Sequence, residues 1–204
     1  DHALTGVFAR RDPAGAALRV GPARLAWGEA GAGSDVMLSA VDAARADSFA
    51  PPRRAEFVTG RALVRALLAD AFPGAEVAVT SAPCPRCGEP HGGVVASGAR
   101  PQDTRHAGAV ASVAHAEGLV VAAVAPGRVR HLGVDLEPAR AEHDRLADLA
   151  ALIGGPPEDA LRRWTLIEAV LKADGRGLQV DPAEVRLDRG RLRATARVGG
   201  VRYR

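Results

Sequence analysis

Lysine is almost absent from this chain: of 27 basic residues only Lys172 is lysine, and every other one is arginine. Aromatic residues make up 3% of the 204 positions, so any core must be built from Val, Leu and Ala. Two cysteines are too few for a disulfide scaffold, which sets aside the small secreted, bridge-stapled class. No run of eighteen apolar residues occurs, and the stretch from Asp1 shows no basic-then-apolar leader, so the expectation is a cytoplasmic, soluble protein without a membrane partner. A block of one charge sign is missing too. The 24 acids are interspersed among the arginines and the net charge is +3, which argues against a general nucleic-acid binder and leaves room for a local basic surface facing an acidic partner. With 47% hydrophobic residues, the length suits one domain or two small lobes.

The lone lysine closes a patterned segment. Trp164, Glu168 and Lys172 recur at four-residue intervals and would share one helix face. A compact ammonium suits phosphate as a point charge where arginine would impose its planar fork, which gives one lysine a reason to persist in an arginine-biased chain. A surface Glu–Lys pair one turn apart is the plainer alternative. Upstream, the apolar run from His131 to Pro138 carries Asp135 and Glu137 at alternate positions. On a strand both would point to one side, where hard oxygen ligands favour magnesium or calcium over zinc; a solvated acidic edge is the alternative.

Cys84, Cys87 and His91 form one short hook. It reads as a turn or as half of a zinc site that needs a fourth ligand, and His2, His106, His115, His131 and His143 offer no matching spacing. Pro51 and Pro52 predict the start of a helix with apolar Phe57, Val64, Leu67, Leu68 and Phe72, stopped by Pro73-Gly74. Arg54, Arg61 and Arg65 are spaced on it as a basic face, either solvated or able to hold a phosphate. Strands are predicted at Ala17–Val20 and Leu25–Trp27, at Val77–Val79, at Gly118–Val124, across the acid-bearing run, at Glu184–Leu187 and at Leu192–Ala196. The last two are joined by an Asp188-Arg189-Gly190 turn. Helices are predicted from His143 to Leu152 and from Pro156-Pro157 through Lys172. Short strands and helices without a βαβ rhythm indicate α+β.

Taken in order, Gly133-Val134-Asp135-Leu136-Glu137 and then Trp164, Glu168, Lys172, Gly175, Gly177 and Leu178 resemble the 4'-phosphopantetheinyl transferases of the Sfp type. The stretch Ser112 to Gly118 around His115, and the cysteine hook through Gly92, look like the same family, so the likeness runs from about Arg53 to Leu178. The resemblance implies two similar lobes related by a pseudo-twofold, residues 1–125 and 126–204, with a ligand cleft between them. It implies a monomeric enzyme that moves the phosphopantetheine arm of coenzyme A to a serine of an acyl or peptidyl carrier protein, with magnesium. By the same resemblance Asp135, Glu137 and Glu168 bind metal, and Glu168, Lys172 and His115 act in catalysis. Arg54, Arg61, His115 and Lys172 bind coenzyme A. Read without the motif, His115 is a satisfied core or loop histidine.

Gly93 and Ile167 stand where the family usually carries lysine. Position 167 precedes Glu168 by about 100° of helix rotation, from where a lysine would be expected to reach the phosphate. Three classes therefore remain open: a transferase, a protein of the same fold with altered chemistry that binds coenzyme A or another ligand, and a non-catalytic module built around a zinc-stabilised cysteine loop.

Overall fold

Gly21 takes a φ of +56°, a conformation open to glycine, and there the chain reverses so that β1 (Leu18–Val20) pairs antiparallel with β2 (Ala23–Glu29). The computed structural model describes residues 18–32, 35–84, 86–99, 108–127, 129–189, 194–198 and 201–203. Next comes α1 (Ala40–Asp47), capped by Ser39, whose Oγ accepts from the Asp42 N–H at 3.1 Å. The second helix, α2 (Pro51–Ala71), begins at the expected prolines and ends before Phe72.

Four more strands complete the main sheet: β3 (Glu76–Ser81), β4 (Val94–Ala99), β5 (Ala109–Ala116) and β6 (Leu119–Pro126). All pairings are antiparallel, in the order β1-β2-β6-β5-β4-β3. A two-residue turn at Glu117-Gly118, both with positive φ, joins β5 to β6. Because β6 lies between β2 and β5 and is covered on both faces, its residues from Val120 to Ala125 are all buried. On one face α2 lays Val64, Leu67 and Leu68 against Ala122, Val124 and Val79, and each such side chain stabilises by about 1.5–3 kcal/mol. On the other face Val134, with Leu132 and Leu136 beside it, packs on Ala114, Val121 and Ala123.

This second face corrects one expectation. The acid-bearing run is not a strand, since residues 129–142 form no regular element. Both edges of β6 are already taken, and the Val134 N–H donates instead to Ser112 Oγ at 3.0 Å. The alternation survives without the ladder: Leu132, Val134 and Leu136 face the sheet, while Gly133 and Asp135 face the opposite way.

The third helix, α3 (His143–Ile153), stops at Gly154, and α4 (Pro157–Asp174) ends at Gly175 in the left-handed conformation. They enclose a second core of Ile153, Ile167, Leu171, Val180 and Val185. Strands β7 (Arg186–Arg189), β8 (Ala194–Val198) and β9 (Val201–Tyr203) form a separate antiparallel sheet. Asp188 and Arg189, expected in a turn, belong to β7; Gly190 to Arg193 lie outside the described residues. The class is α+β, and among the described residues no helix is long and apolar enough to cross a membrane.

Candidate functional site

Gly133 positions the acids. A Cβ there would overlap the Ala169 carbonyl oxygen, so the loop backbone rests directly on the backbone of α4. His131 adds a contact from Nδ1 to the Ala173 carbonyl at 3.1 Å, and Ser112 ties the other side to β5. Asp135 is thereby delivered to the Glu168–Lys172 face of the helix. Lys172 Nζ donates to Asp135 Oδ1 at 2.6 Å and stands 4.0 Å from Glu168 Oε2. Trp164, one turn further back, turns to the second core.

The electrostatics of this trio are unbalanced. The Asp135 side chain is 4% exposed, and its Oδ2 is buried without a hydrogen-bond donor. Glu168 is close enough to Asp135 to share a hydrogen bond only if one of the two carboxyls holds a proton. Burial, and then the Asp135 charge, push the Glu168 carboxyl above the usual glutamate range, while Lys172 pulls it back only in part. Two acids therefore face one cation.

His115, near the end of β5, lies within electrostatic reach of Lys172. Its Nδ1 donates to Glu56 Oε2 at 2.9 Å, and its Nε2 accepts from Arg53 Nη1. Those partners set the tautomer, with the proton on Nδ1. Burial, followed by the Arg53 charge, holds the imidazole below its ordinary pKa despite Glu56. Arg53 and Glu56 were not picked out from the sequence. They sit three residues apart on α2, a spacing that places them on one face but does not by itself join them to His115.

Other expected residues lie apart from this cluster. Glu137 is held by Arg145 at 2.6 Å, although its charge is still felt at Glu168. The anticipated basic face on α2 does not form as one surface. Arg54 pairs with Asp47 at the surface, Arg65 donates to the Val77 carbonyl, and Arg61 is buried, bonded to Asp42 at 2.7 Å and to Ser81 at 2.9 Å. Ile167 is 1% exposed in the second core, so its side chain points away from the acids, contrary to the expectation that a lysine there would reach the phosphate. Gly93 is exposed beside β4.

Hard carboxylate oxygens at Asp135 and Glu168, one of them orphaned and the other short of positive charge, fit a magnesium ion, with Glu137 able to join by exchanging Arg145 for the cation. Among the described residues, the one trio of metal-ligating side chains whose donor atoms already lie within 4.8 Å of one another is different: Cys84, Cys87 and His91. A hollow of about 250 Å³ between the β1–β2 turn and the end of β6 shares no residue with either group. No protein-family model matches the chain, and no curated protein is similar enough to count as a relative.

Proposed function

We propose that this chain is a magnesium-dependent 4'-phosphopantetheinyl transferase of the Sfp type. It moves the phosphopantetheine arm of coenzyme A to a serine of an acyl or peptidyl carrier protein in the cytoplasm. In this reading the chain acts as a monomer whose two related lobes, 1–125 and 126–204, face each other across the ligand. One observation carries the reading. Asp135 and His115, each distant in sequence from the Glu168–Lys172 pair, share its neighbourhood, in which a buried aspartate oxygen has no hydrogen-bond donor.

The chemistry is a phosphoryl transfer. The serine oxygen bonds to the phosphorus that bears the pantetheine arm, the bond from that phosphorus to the bridging oxygen breaks, and 3',5'-ADP leaves with the electron pair. When bound by Asp135, Glu137 and Glu168, magnesium supplies positive charge for the pyrophosphate oxygens. Lys172 steadies the same oxygens as a point charge, its position set by Asp135. Arg53, braced by His115 and Glu56, offers a guanidinium for a phosphate, and His115 takes part through that brace. Glu168 accepts the serine proton, a task for which a carboxylate of raised pKa is better suited than an ordinary one.

A second reading, binding of coenzyme A without transfer, draws support from Glu137, which is engaged by Arg145, and from Gly93, where no cation stands. The two readings separate by intact-protein mass spectrometry of several carrier proteins incubated with the chain, coenzyme A and magnesium. Transfer adds one phosphopantetheine mass, and Lys172→Met slows that gain by about thirtyfold or more. Unmodified carriers together with calorimetric binding of coenzyme A select the second reading.

A further inference from the structure

The loop between β3 and β4 holds the other candidate site, and its backbone is closed on itself. Ala82 N–H donates to the Gly93 carbonyl at 2.8 Å, Gly92 N–H to Ala82 at 2.8 Å, Cys84 N–H to Glu89 at 2.7 Å, and Gly88 N–H to Cys84 at 2.8 Å. Gly88 adopts a φ of +79°, and at Gly92 a Cβ would stand 2.6 Å from the Pro83 carbonyl oxygen, so the loop needs glycine at both places. The fold of this loop turns Cys84, Cys87 and His91 towards a common point. Cys87 Sγ lies 3.0 Å from His91 Nε2, and the three donor atoms are all within 4.8 Å of one another.

We propose that Cys84, Cys87 and His91 bind one zinc ion, with water in the fourth position. Donors around a tetrahedral zinc with thiolate and imidazole ligands stand about 3.4–3.8 Å apart, so the observed separations need only small side-chain rotations. Two sulfurs and an imidazole select zinc over magnesium, which keeps this site chemically separate from the acidic one. Cys87 and His91 are exposed, so an ion enters without the loop opening. Among the described residues no fourth side chain joins the trio, which leaves one coordination position to solvent.

The test uses the full chain, reduced and held free of oxygen, titrated with cobalt as a spectroscopic stand-in for zinc. One equivalent is expected to bring up the thiolate-to-cobalt charge-transfer band together with tetrahedral ligand-field bands, and added zinc to bleach both. Excess magnesium leaves them unchanged. Metal analysis of the chain purified without chelator is expected to give one zinc per chain. In the Cys84→Ser/Cys87→Ser variant both signals disappear while the far-ultraviolet circular dichroism is kept, and His91→Ala weakens cobalt binding by about tenfold or more. The proposal is overturned if the reduced chain gives no charge-transfer band, if the double variant retains it, or if Cys84 and Cys87 form a disulfide whose reduction still yields no cobalt site.

Discussion

Asp135 carries a charge into a nearly dry place, where Lys172 answers one oxygen and nothing answers the other. Two substitutions at this pair should therefore differ in sign or size. Asp135→Asn keeps the volume and removes the repulsion with Glu168, so without metal it is expected to change stability by no more than about 1 kcal/mol. Lys172→Met strands a buried carboxylate and is expected to lose about 2–4 kcal/mol, below the value for a fully enclosed pair because the lysine is one-third exposed. Denaturant midpoints of the two variants decide it, and the reverse ranking would sink the account. Glu168 gives a pH test. A raised folded-state pKa means that the favourable contribution of this group is complete below the unfolded glutamate value of about 4.3 and is lost as pH rises through the folded value. Subtracting the stability profile of Glu168→Gln from that of the parent is expected to show this fall. His115 contributes with the opposite sign, present above about pH 6.5 and lost as pH falls through its lowered pKa.

Helix α4 has two faces with different duties, and adjacent residues divide between them. Glu168 and Lys172 look towards Asp135, while Ile167 and Leu171 are buried against Ile153, Val180 and Val185. Ile167→Lys is therefore expected to lose about 3–5 kcal/mol by burying an unpaired ammonium, and to give no faster transfer. Thermal unfolding checks the first part and the carrier mass assay the second. The helices α2, α3 and α4 were legible because Pro51-Pro52, Gly154 and Gly175 punctuate them and apolar residues recur at a helical period. Strands β4 and β5 were not, because their alanines and small residues carry little strand preference and only pairing with neighbours defines them. Helix α1 was hidden for a different reason: its inward residues are Asp42, bonded to Arg61 and Ser81, and the small Ala46, so no stripe of large apolar side chains marked it. The acids and Lys172 could be read from their spacing. The i,i+3 spacing of Arg53 and Glu56 shows only that they share a helix face; their link to His115, 62 residues from Arg53, comes from the fold.

At the scale of the whole molecule, the site draws on α2, β5, the 131–137 loop and α4, so a ligand that bridges them should hold all four in the folded state. Coenzyme A and magnesium together, each at about one hundred times its dissociation constant, are expected to stabilise the chain by at least about 2.7 kcal/mol. For a chain of this size that corresponds to roughly 5–11 °C in Tm. Calorimetry with each ligand alone and with both is the check, and an unmoved Tm with both present would remove the shared site.

The close approach at Gly133 has a bearing on inheritance. The gap between Asp135 and its partners on α4 is set by the thickness of bare main chain, not by how neighbouring side chains happen to pack. A line of descent could redraw the core around Leu171 many times and pass on the same spacing of charges. A mutation giving Gly133 one methyl group would instead press on the helix backbone itself, which has no side chain to yield, and would part the loop from the helix and the acids from each other.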